Sequence, residues 1–266
     1  MRLSLSILDQ IFATKRQEVA TAKREHPIDS LRSRLNDIPV LPFAATLALS
    51  GHPVSLIAEV KKASPSQGTI REDFDPVALA AQYRDAGADC LSVLTDVDYF
   101  QGSPGFLTDV KKEIGLPCLR KDFLYDPYQL YEARFWGADA VLLIAAALQR
   151  SQISDLKHEA EDLGMDAFLE VHNENEAEMA CDLKFTLVGV NNRDLSTFTT
   201  DLGTSEQLIP ILRQGLPEAV VVSESAISSH SEVQRVQQSG ARSVLIGTTF
   251  SGSADVTSKI KEVMAW

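Results

Sequence analysis

Gly87-Ala-Asp-Cys-Leu-Ser-Val-Leu94 places two signals at one junction. A glycine able to take the left-handed conformation that ends a helix is followed by an apolar run of strand length. The pairing recurs as Gly137-Ala-Asp-Ala-Val-Leu-Leu-Ile144, Gly164-Met-Asp-Ala-Phe-Leu169 and Gly240-Ala-Arg-Ser-Val-Leu-Ile246. The four glycines stand 50, 27 and 76 residues apart. These intervals are close to two, one and three multiples of about 25 residues, the size of a compact βα unit.

Outward from these junctions, apolar runs lie at Leu56–Val60, Cys90–Leu94, Pro117–Arg120, Ala140–Ala145, Ala167–Val171, Leu187–Val190, Ala219–Val222 and Ser243–Ile246. Rich in Val, Ile and Leu on both faces, they read as buried parallel strands. Asp75-Pro76 and Asp126-Pro127 each offer a capping carboxylate followed by proline at the first helical position. Eight such units close an α/β fold of the (β/α)8 TIM-barrel type, typically about 250 residues long. An open doubly wound sheet is the competing architecture, but no G-x-G-x-x-G turn follows the first strand.

Ahead of the first strand, residues 5–35 read as helical. Leu5, Ile7, Leu8 and Ile11 form an apolar stripe, with Lys15, Arg16, Glu18, Lys23 and Arg24 over the rest. Pro27, Pro39, Pro42 and Pro53 then punctuate the chain. The expected organisation is one barrel domain over residues 1–266, of which 1–50 form an N-terminal helical extension.

A chain of 266 residues, 44% hydrophobic and 23% charged, can bury a large core without a disulfide or metal staple. Its 25 basic and 37 acidic residues give a net charge of −12. That surface argues against nucleic acid or an anionic membrane as partner, and an anionic substrate needs a local cluster of Lys and Arg. Cys90, Cys118 and Cys181 have no metal-ligand spacing; the first two read as buried thiols of a reducing compartment. The charged N-terminus lacks the pattern of a signal peptide, and no apolar stretch reaches membrane-spanning length, so the expected location is cytoplasmic.

In a (β/α)8 barrel, catalysis sits at the C-terminal strand ends, and alternate strand residues share a face. The pattern pairs Glu59 with Lys61 on strand 1 and sets Lys121 between Leu119 and Phe123 on strand 3. It gives Glu170 and His172 on strand 5, Asn191 and Arg193 on strand 6, and Glu224 and Ala226 on strand 7. Ionisable groups therefore recur at five strand ends. Mixed charges in one closed mouth can shift each other's proton affinity and supply acid and base together. Ser223-Glu-Ser-Ala-Ile227 and Ile246-Gly-Thr-Thr249 offer small and hydroxyl residues after strands 7 and 8, where barrels often hold phosphate. His172 has no second ligand at metal spacing and is expected at the surface or behind the site.

Glu59-Val-Lys-Lys-Ala-Ser-Pro-Ser66 closely resembles the signature of the indole-3-glycerol-phosphate synthase family. Further similar segments are Leu94-Thr-Asp96 with Tyr99-Phe-Gln-Gly-Ser103, Arg120-Lys-Asp-Phe123, Leu169-Glu-Val-His172, Val190-Asn-Asn-Arg-Asp-Leu195 and Val222-Ser-Glu-Ser225. They follow the family's order from residue 57 to 250.

The resemblance implies a substrate, 1-(2-carboxyphenylamino)-1-deoxyribulose 5-phosphate. Ring closure onto its carbonyl, loss of carbon dioxide and dehydration give indole-3-glycerol phosphate, with no cofactor or metal. It implies Lys121 as the acid for ring closure and Glu59 and Glu170 as the pair for dehydration. Lys61 would be a cation near the substrate carboxylate and phosphate; which lysine acts at which step stays open. Asn191 and Glu224 would orient the substrate. Ser64, Pro65, Arg193, Ser225, Ala226, Ile246, Gly247 and Thr248 fall at binding positions. Phe100, Phe123, Leu142 and Leu195 match the apolar wall for the anthranilate ring, although core packing also suits them. The resemblance leaves room for association with other tryptophan-pathway enzymes.

The sequence departs from the family's usual pattern at the phosphate end. Ala226 stands where glycine is usual, and Thr248 and Thr249 follow Gly247 where Glu or Ser is usual. The expectation is compensation by the two threonine hydroxyls. Competing readings are another phosphosugar barrel, such as phosphoribosylanthranilate isomerase, or a barrel kept as a non-catalytic partner.

Overall fold

The computed structural model describes residues 6–35, 39–195 and 197–266. Eight parallel strands close into one barrel: β1 (Ser55–Val60), β2 (Cys90–Leu94), β3 (Cys118–Lys121), β4 (Ala140–Ile144), β5 (Asp166–Val171), β6 (Leu187–Asn191), β7 (Val220–Glu224) and β8 (Ser243–Ile246). Sequence neighbours pair in order, and β1 closes the ring by setting Ser55 opposite Ser243 on β8. This is the (β/α)8 barrel, and all eight apolar runs are its strands. The ends differ by a residue or two. Proline has no N–H for the ladder, and β3 begins after Pro117, at Cys118.

The glycine junctions behave as expected. Gly87, Gly137, Gly164 and Gly240 all have positive φ, between 81° and 105°. The aspartate two residues on adds a second function. Asp89 accepts from the N–H of Leu56 at 2.8 Å, and Asp139 from that of Cys118 at 2.7 Å. Asp166 accepts from Ala44 N at 2.9 Å. Three of the four junctions thus end a helix and tie the start of the strand to another segment at the barrel base; at the fourth, Arg242 stands in the aspartate's place.

Two apolar layers sit on either side of the sheet. Inside are Ile57, Leu119, Leu142, Phe168, Leu187, Val222 and Leu245. Outside, residues such as Leu56, Val93, Val141, Leu169, Val188 and Val221 pack beneath the helices. Cys90 and Cys118 are buried free thiols, and burial pushes Cys118 up to about 12.

The first 50 residues do more than extend the barrel. The stretch read as helical is so in two pieces: α1 (Ile7–Glu25) stops before Pro27, and α2 (Ile28–Arg32) starts after it. His26, at φ −132° and ψ 84°, has left the helical region, which is disfavoured for a residue preceding proline. Leu5 of the predicted stripe lies outside the described residues. A short helix, α3 (Phe43–Ala48), plugs the base of the barrel, where Phe43 and Leu47 join the inner layer.

Lys15, placed by the sequence pattern on the polar side of α1, is only 2% exposed. Its ammonium lies 2.7 Å from Asp96, 2.8 Å from Glu18 and 3.1 Å from Asp122. Burial opposes its charge, but Asp122 and Asp96 outweigh that and hold Lys15 above the usual lysine range. Asp96 also accepts from the N–H groups of Tyr99 and Phe100, and Asp122 from Phe123 N, Thr95 and Arg120. One buried cation therefore ties α1 to the loop after β2 and to the end of β3. Removing one member of a buried ion cluster costs roughly 3–5 kcal/mol. Lys15→Met is expected to lower unfolding free energy by about that amount in urea titrations; a loss below ~1 kcal/mol would show that this hub does not anchor the helix.

Candidate active site

Five strands deliver charge or hydrogen-bonding groups to one mouth. On β1, Glu59 is followed two residues on by Lys61, whose ammonium lies 2.6 Å from the Glu59 carboxylate. The Glu59 carbonyl accepts from Tyr83 at 3.1 Å and from Ser251 at 3.0 Å, which pins the strand end. Lys121, the last residue of β3, reaches across the barrel to Glu170 of β5 at 3.1 Å and Glu224 of β7 at 3.8 Å. Glu59, Glu170 and Glu224 are each 5% exposed or less. Asn191, the last residue of β6, lies between the last two strands that carry carboxylates, and its side-chain oxygen accepts from the Arg193 N–H at 3.0 Å.

Two glycines make this crowding possible. A Cβ on Gly189 would lie 2.0 Å from a Glu224 oxygen, and one on Gly247 would lie 2.2 Å from a Glu59 oxygen and 2.8 Å from the Lys61 nitrogen. Both positions need the absence of a side chain rather than glycine's backbone freedom.

The charges are uneven. Burial works against an ionised Glu170, but Lys121, His172 and Asn191 outweigh it and hold this carboxyl below its usual range. Burial and the Glu170 charge, with a further push from Glu59, raise Glu224 to about 8 against the pull of Lys121. Lys121 loses affinity by burial and regains more from Glu170, Glu224 and Glu59, so it stays charged. Of the two carboxyls that the resemblance pairs for dehydration, Glu170 is thus held in its ionised form. The retained proton rests on Glu224, because Lys121 sits closer to Glu170.

All the site residues named from the sequence line one cavity of about 650 Å3 above this cluster. Besides Glu59, Lys61, Lys121, Glu170, Asn191 and Glu224, it is bounded by Ser64 and Pro65 from the loop after β1. Phe100, Phe123, Leu142 and Leu195 form an apolar side, with the Phe100 and Phe123 ring centroids 6.0 Å apart. Arg193 donates to the Phe198 carbonyl at 3.0 Å. Ser225, Ala226, Ile246, Gly247 and Thr248 bound the far end.

Strand-to-strand alternation does not continue to Ala226. β7 ends at Glu224, and Ser225 and Ala226 turn away at φ 65° and 59°, in the left-handed region. The Ala226 methyl packs against the outer core layer. The compensation expected from Thr249 is also corrected, since its hydroxyl donates to the Ile227 carbonyl at 2.8 Å. Its single hydrogen is committed, which leaves Thr248 as the threonine of the two with no such bond across the turn.

Some cavity residues escaped the sequence reading: Ile7, Leu8 and Ile11 of α1, Leu94, Phe198 and Leu202. The α1 stripe was visible as amphipathic, but nothing local says whether such a stripe faces core or cavity. Among the described residues, no cluster of three His, Cys, Asp or Glu side chains is arranged to hold a metal ion.

A (β/α)8 barrel with paired lysines and carboxylates at the strand ends, beside an apolar wall, defines an acid–base barrel enzyme. Solved structures share the fold: 3-hexulose-6-phosphate synthase superposes at a TM-score of 0.65 with 17% identity, covering 80% of this chain and 99% of that one. N-acetylmannosamine-6-phosphate 2-epimerase from Clostridium perfringens gives 0.57 at 15% identity, covering 73% and 86%. At such identities the likeness concerns the fold alone.

The sequence comparisons are more specific. The family model described as Indole-3-glycerol phosphate synthase matches residues 8–263. Indole-3-glycerol phosphate synthase of Neisseria meningitidis serogroup B (strain MC58) is 45% identical over 258 residues, covering 96% of this chain and 97% of the relative. That of Dehalococcoides mccartyi (strain 195) is 41% identical over 261 residues, covering 97% and 100%. The chain belongs to the indole-3-glycerol phosphate synthase family, carboxy-lyases of tryptophan biosynthesis.

A carboxyl raised from the ordinary 4.5 to about 8 binds its proton more tightly in the folded state. Its contribution to stability is thus fully present below pH 4.5 and is lost as pH rises through about 8. Glu224→Gln removes this penalty. Its stability relative to the parent is expected to improve between pH 5 and pH 8.5 in denaturant titrations; an unchanged difference would place the proton elsewhere.

Proposed function

We propose that the cavity binds 1-(2-carboxyphenylamino)-1-deoxyribulose 5-phosphate and that the strand-end residues divide its conversion to indole-3-glycerol phosphate among them. The observation that carries the assignment is the Lys121 ammonium, held 3.1 Å from Glu170 and 3.8 Å from Glu224 beneath an apolar wall. Ring closure forms a bond from the anthranilate ring carbon to the sugar carbonyl carbon. The carbonyl oxygen then needs a proton, and Lys121 is charged and central enough to give it. Carbon dioxide leaves from the same ring carbon, and its electron pair restores the aromatic ring.

Dehydration needs a proton on the departing hydroxyl and removal of a proton from carbon. Glu59 and Glu170 serve this step as a pair: Glu170, which Lys121 keeps ionised, is the acceptor, and Glu59 passes to the departing hydroxyl a proton drawn from the Lys61 ammonium beside it. Lys61, 13% exposed at its side chain and paired with Glu59, offers the cation for the substrate carboxylate or phosphate. Asn191 and protonated Glu224 orient the sugar hydroxyls. Phe100, Phe123, Leu142 and Leu195 hold the anthranilate ring. The phosphate lies against Ser225, Gly247 and Thr248, with Arg193, Ser64 and Pro65 closing the rim. A cytoplasmic setting fits three free thiols, two of them buried.

A fluorescence assay for indole-3-glycerol phosphate reads the proposal directly. Lys121→Ala is expected to lower kcat by roughly 10²-fold or more with a much smaller change in KM; near-normal turnover would remove Lys121 from the mechanism. Thr248→Val is expected to raise KM while kcat stays close to the parent, the mark of binding lost equally from ground and transition states. An unchanged KM would move the phosphate away from Thr248.

A further inference from the structure

His172 does not line the cavity, and the roles assigned above leave it unused. It is nonetheless placed with care. Its Nε2 lies 3.2 Å from Glu170 Oε1, a charge contact off the line of a hydrogen bond. Its Nδ1 lies 3.2 Å from Glu176 Oε2. The same Glu176 oxygen accepts the His172 backbone N–H at 2.8 Å, while its other oxygen accepts from Asn173 Nδ2 at 2.6 Å. Glu176 is fixed in turn by the first turn of the helix Glu174–Asp182, where Asn173 is the cap. The ring is therefore held at both ends by carboxylates.

Glu170 has a cation on each oxygen: Lys121 at 3.1 Å on Oε2 and His172 at 3.2 Å on Oε1. The two are not equivalent. Lys121 must turn its ammonium to the substrate if it is to donate a proton. A buried carboxylate left without that cation would then have burial favouring proton uptake. An acceptor that takes its proton from the surroundings cannot take one from the substrate.

We propose that His172, fixed by Glu176, is a positioning residue for Glu170: a standing second cation that keeps this carboxylate in place and ionised while Lys121 engages the substrate. The inference rests on Glu170 being the proton acceptor. Four ionisable groups act on the arrangement: Glu170 on the ring's own strand, Glu176 from the following helix, Glu224 from β7, and Lys121 from β3 through Glu170. Burial opposes the imidazolium, and Glu170 and Glu176 outweigh it, raising His172 to about 10. The cation thus persists through the neutral range.

The test combines an imidazole NMR titration with pH profiles of kcat/KM. In the parent, the His172 resonance, assigned by its loss in His172→Gln, is expected to titrate at about 10. In His172→Gln, removal of an opposite charge at this distance should move the acid limb of kcat/KM upward by about one pH unit. Glu176→Gln keeps the ring and a side-chain acceptor for the cap but removes one carboxylate. It should lower the imidazole midpoint and make turnover fall at lower alkaline pH than in the parent, which decides the matter if His172→Gln does not fold. An imidazole titrating near the ordinary histidine value, or an acid limb unmoved in both folded variants, overturns the proposal. Glu170→Gln separates the two layers. Retained turnover with a lowered imidazole midpoint would sink the acceptor role of Glu170 while leaving the His172–Glu170 contact established. Lost turnover with an unmoved midpoint would sink the contact alone.

Discussion

Two ammonium groups and three carboxylates meet at the mouth of this barrel, nearly out of reach of water. Lys61, Lys121 and the His172 imidazolium behind Glu170 cannot balance Glu59, Glu170, Glu224 and Glu176 if all four are ionised, and burial magnifies the mismatch. The relief is one retained proton. It rests on Glu224, because Lys121 sits 3.1 Å from Glu170 but 3.8 Å from Glu224. The resulting set contains a charged lysine, an ionised carboxylate and a neutral carboxylic acid within reach of one cavity. A reaction that needs proton donors and acceptors in sequence requires such a set before substrate arrives.

The fold serves this arrangement. An isolated loop cannot hold buried ion pairs in register, whereas residues at strand ends are fixed by ladder hydrogen bonds on both sides. Beneath them the inner layer of Ile57, Leu119, Leu142, Phe168 and Leu245 excludes water from below. Gly189 and Gly247 give up side chains so that Glu224 and Glu59 can occupy the space. Lys15 repeats the same device outside the cavity, where a buried cation between Asp96 and Asp122 binds α1 to the segments carrying Phe100 and Lys121. The aromatic side of the cavity therefore depends on a helix that lies outside the barrel in sequence.

Much of this was legible in the residues alone. Parallel strands buried on both faces leave continuous Val, Ile and Leu runs, so eight strands could be read with no three-dimensional knowledge. Strand alternation found Glu59, Lys121, Glu170, Asn191 and Glu224, because the barrel aims those side chains at one mouth. Alternation failed at Ala226, since it holds only while the ladder lasts and β7 ends two residues earlier. Helix periodicity failed at Lys15. A lysine on a polar face looks the same in sequence whether it meets water or two aspartates from distant loops. The placement of the proton on Glu224 was hidden for the same reason, because it depends on distances between strands that no local pattern encodes. The commitment of the Thr249 hydroxyl to Ile227 is likewise a contact between two different strand ends.

The proton chemistry of this site turns on a neutral carboxylic acid on β7 at physiological pH. Carboxyl carbon NMR on protein labelled at glutamate side chains measures it directly, with Glu224 assigned by its absence in a glutamine variant. One glutamate resonance, belonging to Glu224, is expected to move at about pH 8, with the Glu170 resonance already in its ionised position at neutral pH. If Glu224 instead completes its titration in the ordinary carboxylate range, or if Glu170 carries the proton, the charge arrangement described here is wrong.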